Sequence, residues 1–189
     1  MRKDGIPAEN AQGRPHNQRR FLRLLALLLA AFALLSAVWY VTAYRPYDAY
    51  ALRAQPGWRE DPAFPGCGVD GEGYTCNVAR PGFLHWTGNL GIGLPALTLE
   101  SGEEIGYTDS LLIWPRLFGA PEAGVILYEY DFQADGVTCT GHQMYITPEG
   151  EYIPYGDGAE DAANEALLTE RRENVETLLS RAREIWNVP

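Results

Sequence analysis

The stretch GVILYEYDFQADGVTCTGHQMYIT, residues 124–147, decides the fold. It contains two runs rich in β-branched and aromatic residues, GVILYEYDF at 124–132 and VTCTGHQMYIT at 137–147, and this composition is typical of strands. The residues between them, Gln133-Ala134-Asp135-Gly136, end in Asp-Gly, which is a strong turn signal. The stretch therefore predicts a β-hairpin.

Shorter strands are predicted on both sides of this hairpin. Phe83 to Thr87, Ala96 to Glu100 and Tyr107 to Trp114 are apolar runs that Gly, Pro and a Ser-Gly turn separate. After the hairpin, Pro148-Glu149-Gly150 predicts a turn into a strand at Glu151 to Pro154. We expect these segments to form an antiparallel β-sheet of five or six strands.

The C-terminal segment has a different periodicity. From about Glu160 to Trp186 the apolar residues recur every 3.6 positions, which predicts a long amphipathic helix of roughly 40 Å. Its apolar stripe consists of Ala163, Leu167, Leu168, Val175, Leu178, Leu179, Ala182, Ile185 and Trp186. A helix of this length can pack over one face of the predicted sheet, so the predicted fold class is α+β.

An uncharged apolar run, Leu24 to Tyr44, follows an N-terminal tail with an excess of basic residues. As a helix with about 1.5 Å rise per residue it would measure roughly 31 Å, which matches the hydrocarbon core of a bilayer. Excess Lys and Arg mark the cytoplasmic side of a span. We therefore predict a single N-terminal transmembrane helix, a signal anchor over residues 21–44, with the N-terminus cytoplasmic and an extracytoplasmic domain after it. The lipid bilayer is thus the first expected partner.

A cleaved signal peptide is the alternative to an anchor. Val41-Thr42-Ala43 offers small residues before a cut near Ala43, and cleavage there would release a secreted protein. The apolar run is longer than the roughly 7 to 15 residues usual in signal peptides. The large Trp39 and Tyr40 also stand just before the site. Both observations favour the uncleaved anchor.

Composition divides the chain into four segments. These are a disordered basic cytoplasmic tail at 1–20, the anchor at 21–44, a juxtamembrane segment and irregular loop at 45–82, and an α+β core at 83–189. Cys67 and Cys76 bracket a glycine-rich stretch in the third segment, so we expect a disulfide between them to close that loop. A pairing of Cys139 with either of them stays open, because spacing does not define connectivity.

The charge balance limits the kinds of partner. Residues 45–189 contain nine arginines, no lysine and 23 acidic residues, so their net charge is −14. An acidic surface repels phosphate backbones, which argues against nucleic-acid binding. Cys139 and His142 are three positions apart and would point to opposite faces of a strand, which argues against a shared metal. We expect no cofactor and no metal, and a monomer is the default oligomeric state.

The hairpin carries the candidate catalytic residues Glu129, Asp131 and His142. If Asp135-Gly136 is a two-residue turn, Glu129 lies directly opposite His142. A longer loop shifts the opposite residues but keeps all three side chains on one face, because strand side chains alternate. A carboxylate beside an imidazole can transfer protons, or it can form an ordinary cross-strand pair.

Two functions of different classes are compatible with these features. The first is a membrane-anchored extracytoplasmic interaction or binding module, whose partner would be another envelope protein. The second is a cell-envelope hydrolase that uses Glu129 or Asp131 with His142 as its acid-base set. A closed pocket around these side chains would favour the hydrolase, whereas an open sheet face beside exposed tyrosines would favour binding.

Overall fold

The structure, a computed structural model, describes residues 16–54, 59–60, 67–100, 102, 104–133, 136–156 and 158–188. Most of the predicted basic tail, residues 1–15, lies outside the described residues. The chain divides into two compact units, Met1–Val38 and Trp39–Pro189. Each is described by itself.

The first unit contains most of helix α1, His16–Trp39. Every side chain from Arg20 to Val38 is exposed except the half-buried Ser36, whose hydroxyl donates a hydrogen bond to the carbonyl of Phe32. Among the described residues, this N-terminal helical region is long and apolar enough to cross a membrane, and a signal sequence meets the same criteria. The predicted apolar helix is therefore confirmed.

The second unit begins with Trp39 and a π-helical segment, Tyr40–Tyr44, which leads into helix α2, Pro46–Ala54. Proline suits the first turn of a helix because its missing N–H would have no partner there. Ten strands follow in the described part of the chain, and helices α3, Gly158–Glu170, and α4, Arg172–Trp186, come after them.

The strands are β1 Arg59–Glu60, β2 Cys67–Val69, β3 Thr75–Ala79, β4 Asn89–Gly93, β5 Leu97–Thr98, β6 Glu104–Ile105, β7 Ser110–Trp114, β8 Glu122–Gln133, β9 Gly136–Ile146 and β10 Tyr152–Ile153. Eight of them form one antiparallel sheet in the order β1-β2-β3-β4-β7-β8-β9-β10. Strands β5 and β6 pair with each other as a separate ribbon. The sheet is thus an antiparallel meander.

The α+β class with a large antiparallel sheet is confirmed, but the expected five or six strands are eight. Part of the segment expected to contain the juxtamembrane stretch and an irregular loop, 45–82, forms β1, β2 and β3. The strand expected at Phe83 to Thr87 is a loop, and the glycine-rich segment after it, Asn89–Gly93, is β4 instead. Glycine fits there because a Cβ on Gly93 would lie 2.5 Å from Thr75 Oγ1. Close packing between strands therefore overrides the loop-like composition.

The core lies between one face of the sheet and helices α2 and α4. Alternate strand residues supply the sheet side, and α4 buries Val175, Leu178, Leu179, Ala182 and Trp186. The Trp186 indole donates a hydrogen bond to the carbonyl of Tyr50 (3.2 Å), which joins α4 to α2. The C-terminal half of the predicted apolar stripe, from Val175 to Trp186, therefore packs on the sheet as expected.

The prediction of a single long C-terminal helix is wrong in one respect, because Arg171, with φ −95° and ψ 16°, separates α3 from α4. The two helices pack against different elements. Helix α3 contacts β10, where the Tyr152 hydroxyl donates to Asp161 Oδ1 (2.6 Å), whereas α4 packs on the core. The interruption is local, because the N–H of Arg171 donates to the carbonyl of Leu167 (3.0 Å) and the N–H of Val175 donates to the carbonyl of Arg171 (3.1 Å).

The expected disulfide is not formed: Cys67, Cys76 and Cys139 are all described, and none is in a disulfide. Cys67 pairs with Asn77 and Cys76 pairs with Gly68, so the two thiols point to opposite faces of the sheet. Cys76 is 3% exposed in the core, and burial raises the pKa of its thiol well above the usual range. Register parity therefore explains why the short spacing does not produce a bond.

A buried ion pair joins the β2–β3 turn to α4. Asp70 Oδ1 accepts hydrogen bonds from the N–H groups of Glu72 and Tyr74, both at 2.9 Å, and its Oδ2 lies 2.8 Å from an Arg181 guanidinium nitrogen. Burial raises the pKa of Asp70, but the hydrogen bonds from Arg181 and the two amides outweigh it and lower that pKa below its usual value. The β2–β3 turn is thus held by the negative charge of the Asp70 carboxylate, which protonation at low pH removes.

Candidate functional site

The two longest strands, β8 and β9, extend beyond the rest of the sheet. They pair continuously from Ala123 opposite Ile146 to Gln133 opposite Gly136, whereas β7 pairs with β8 only as far as Ser110 opposite Ile126. We call residues 128–142 the projecting hairpin. The exposed fraction is 0% at Leu127, directly before the projecting hairpin, and 61% at Phe132 near its far end.

The hairpin register differs by two residues from the one expected for an Asp135-Gly136 turn. His142 pairs with Leu127, and Glu129 pairs with Thr140, because Gln133 pairs with Gly136 and leaves residues 134 and 135 as the connection. That connection lies outside the described residues. A shift of two keeps every side chain on its face, so the prediction that Glu129, Asp131 and His142 share a face is confirmed.

Glu129 and His142 are in contact, while Asp131 has another partner. Glu129 Oε2 lies 2.7 Å from His142 Nε2, a distance that fits an ion pair although the direction is not that of a hydrogen bond. Asp131 Oδ2 accepts a hydrogen bond from Gln133 Nε2 (2.9 Å). The side chains of Glu129 and His142 are 59% and 32% exposed. A catalytic role for these residues stays a prediction.

The other face of the projecting hairpin is aromatic. Tyr128, Tyr130 and Phe132 alternate along β8 on this face, and the rings of Tyr130 and Phe132 are 6.2 Å apart. The Tyr130 hydroxyl donates a hydrogen bond to the carbonyl of Tyr107, itself 61% exposed. Burial and the charge of Asp109 raise the pKa of Tyr130 to about 12, so this hydroxyl remains a donor at neutral pH.

The outer edge of β8 is open after the point where β7 stops pairing. Asp109, directly before β7, accepts a hydrogen bond from the N–H of Tyr128 (2.8 Å) with its Oδ1 and so takes the place of one strand neighbour. Beyond Tyr128, none of the described strands pairs with β8 on this side. Alternate backbone groups of residues 129–133 are therefore available to a further strand.

A pocket of about 320 Å³ lies at the base of the projecting hairpin. Its lining combines an apolar strip with polar side chains from three parts of the chain: Leu94, Pro95, Ala96, Leu97, Thr108, Asp109, Tyr130, Arg171 and Asn174. Asp109 is 4% exposed, and its Oδ2 accepts a hydrogen bond from Asn174 Nδ2 (2.7 Å). Arg171 reaches this pocket from the junction of α3 and α4.

Sequence reasoning missed this pocket. Asp109 was not among the candidate residues, and the hydroxyl of its neighbour Ser110 donates to the carbonyl of Thr108 (2.8 Å). Arg171 and Asn174 are more than 60 residues away in the chain and read as ordinary polar positions of a helix. The one local signal is an acid directly before an apolar strand.

The described residues contain no group of three or more His, Cys, Asp or Glu side chains arranged to hold a metal ion. Cys139 pairs with Tyr130 on the aromatic face and His142 pairs with Leu127 on the other, so the two do not meet. The chain matches no protein-family model, no curated protein and no solved structure.

Proposed function

We propose that the chain is a single-pass membrane protein whose extracytoplasmic domain binds another envelope protein through the projecting hairpin. Residues 21–44 span the bilayer in this proposal, and the basic tail stays in the cytoplasm. Two observations support the location: apart from Ser36, the side chains from Leu24 to Val38 are exposed and apolar, and an excess of basic residues precedes them. A bilayer would remove that apolar surface from water.

The open edge of β8 carries the binding part of the proposal. An unpaired edge presents N–H and C=O groups that a partner can complete as an added strand, and alternate side chains then give specificity. Monomeric proteins usually block such edges. This edge has an acidic and imidazole face on one side and an aromatic face ending in Phe132 on the other, both suited to recognition.

The hydrolase remains the alternative, because Glu129 and His142 are in contact. The pair is absent from the lining of the pocket at the hairpin base, and it stands on an exposed strand rather than in a closed cavity. No serine or cysteine nucleophile accompanies it among its described strand neighbours on that face, which are threonines, Asp131 and Leu127. Binding is therefore the better supported of the two functions.

Protease digestion of intact cells tests the location. If the domain is outside, added protease removes it while a tag at residue 1 stays protected until the membrane is permeabilised. A protected domain in sealed cells contradicts the proposed topology. Release of the intact domain into the medium would instead support cleavage near Ala43.

A photocrosslinking amino acid in place of Phe132 in the full-length chain tests the binding surface. A second chain carries the crosslinker in place of Thr177, which is exposed on α4 and serves as the matched control. We expect a defined protein adduct from position 132 and none from position 177. The Glu129→Gln, His142→Ala double variant should keep the adduct if the pair is structural. Equal labelling at both positions contradicts the proposed surface.

A further inference from the structure

The two ends of the sheet differ in what they expose. The β3–β4 connection, residues 80–88, and the β7–β8 connection, residues 115–121, leave the sheet at the same end, because Ala79 pairs with Asn89 and Trp114 pairs with Glu122. We call this the Trp39 end, since Trp39 contacts the first connection. The opposite end carries the β2–β3 turn, the pocket and the projecting hairpin, and we call it the hairpin end.

Large apolar side chains protrude from both connections at the Trp39 end. The exposed fractions are 53% for Phe83, 36% for Leu84, 43% for Trp86, 44% for Leu117 and 85% for Phe118. Trp86, Leu117 and Phe118 line an open groove of about 520 Å³. Single exposed apolar residues are ordinary, but a group of five from two adjacent connections marks a contact surface.

The backbone at Leu84 indicates that this exposure is not incidental. Residues 82–85 form a turn in which the N–H of His85 donates to the carbonyl of Gly82 (2.9 Å), and Leu84 has φ 60°. This left-handed conformation favours Gly or Asn, and a branched apolar side chain there is strained. Leu84 keeps 36% of its surface exposed in this conformation. An unusual backbone angle that presents an apolar side chain at the surface motivates a functional hypothesis for that side chain.

The β3–β4 connection, residues 80–88, is fixed by contacts with Trp39 and Tyr47. The Trp39 indole donates a hydrogen bond to the carbonyl of His85 (2.6 Å), and its ring lies 5.3 Å from that of Phe83. The N–H of Gly88 donates to the hydroxyl of Tyr47 (2.7 Å), and a Cβ on Gly88 would lie 2.0 Å from the carbonyl oxygen of Ala79. The exposed side chains are thus displayed by a fixed loop.

Charges beside these side chains are neutralised in pairs. Arg80 lies 2.9 Å from Asp48, and Arg116 is paired with Glu122. The domain as a whole is strongly acidic, which opposes approach to an anionic lipid surface. At the Trp39 end these ion pairs reduce the electrostatic repulsion from anionic lipid.

We propose that connections 80–88 and 115–121 insert their apolar side chains into the bilayer interface as a second membrane contact. Trp39 directly follows Val38 at the end of the apolar helix, so the connection that it contacts emerges beside the lipid headgroups. Tryptophan and other amphipathic or aromatic side chains favour this region. The inference rests on the proposed membrane span.

Quenching by brominated lipids tests this contact on the full-length chain. The protein is reconstituted in vesicles of phosphatidylcholine and phosphatidylglycerol whose acyl chains carry bromine near the headgroup. Phe118→Trp adds a reporter at the Trp39 end, and Tyr107→Trp adds a matched reporter at the hairpin end, where the native ring is 61% exposed. We expect bromine to quench the emission added by Trp at position 118 and to leave that at position 107 unchanged. Thermal unfolding confirms that both variants fold.

Trp39→Phe distinguishes failure of this inference from failure of the span. The difference in fluorescence between the native chain and this variant is the emission of Trp39. Brominated lipid quenches that emission if the chain enters the bilayer. Quenching at Trp39 with none at position 118 overturns the second contact and leaves the span intact. No quenching at Trp39 removes the basis of both proposals.

Discussion

The Trp39 end and the hairpin end of the same sheet are held by different parts of the chain. At the Trp39 end, the connection 80–88 is fixed by ring packing and a hydrogen bond from Trp39, by a hydrogen bond to Tyr47, and by a glycine that lets two backbones approach. At the hairpin end, α4 is joined to the sheet by polar contacts, Arg181 with Asp70 and Asn174 with Asp109. An antiparallel meander returns its connections alternately to two ends, so one end can serve attachment and the other recognition.

A cavity in the core between α4 and the sheet should destabilise both ends of the sheet together. Leu178 is fully buried against the sheet, and Leu178→Ala removes apolar contacts and leaves a cavity. We expect the free energy of unfolding to fall by about 2–5 kcal/mol. Denaturant unfolding of the reconstituted chain, followed by near-UV circular dichroism, measures this loss. A drop below about 1 kcal/mol would contradict the described packing of α4.

A smaller, local change should damage the Trp39 end alone. Gly88→Ala would force the Ala79 backbone to move, and overpacking of this kind costs about 1–3 kcal/mol. Gly71→Ala is the matched control, because a Cβ there meets no atom within 4 Å. Hydrogen exchange should increase in residues 80–88 of the Gly88 variant and remain unchanged in the control. Equal exchange in both variants would show that the close approach at Gly88 is not required.

Acid should loosen the hairpin end before the Trp39 end. The folded-state pKa of Asp70 is lowered, so its contribution to stability is complete above the unfolded pKa of about 3.9 and is lost as pH falls through the folded value. Hydrogen exchange of residues 70–74 should therefore rise below about pH 4. Asp70→Asn should remove this pH dependence and cost about 1–2 kcal/mol at neutral pH, because Arg181 loses a charged partner. An unchanged pH profile in that variant would assign the acid response to another group.

The smallest effect on stability is expected on the projecting hairpin. Glu129→Gln weakens a cross-strand pair between half-exposed side chains, and such a pair contributes about 0.2–1 kcal/mol. Thermal unfolding should therefore change little. A loss above about 2 kcal/mol would mean that the pair has a structural role that its exposure does not indicate.

Local sequence patterns predicted the elements that depend on periodicity. Strand composition and the turn predicted the β8–β9 hairpin, and the 3.6-residue stripe predicted the burial of Val175 to Trp186. The observed hairpin register differs by two residues from the one expected for an Asp135-Gly136 turn, because Gln133 pairs with Gly136. The residues on each face were nevertheless predicted correctly, since a shift of two preserves alternation.

Features that depend on distant contacts could not be predicted. The expected Cys67–Cys76 disulfide is not formed, because the β2–β3 register places the two thiols on opposite faces of the sheet. The spacing of the two cysteines in the sequence does not reveal that register. Strand β4 has a loop-like composition because it is rich in glycine. Those glycines are required by the close approach of side chains on β3 and β7, which the sequence of β4 itself does not show. The pocket joins Asp109 to Asn174 only after α4 has packed on the sheet. Tertiary packing therefore supplied what the local signals lacked.

Photocrosslinking in living cells from one position at each end tests the central claim most directly. Phe118 and Phe132 are both exposed phenylalanines, so the same crosslinking amino acid can replace either one. The division between attachment and recognition predicts lipid adducts from position 118 and a protein adduct from position 132. Adducts of the same class from both positions, or the reverse assignment, would contradict it.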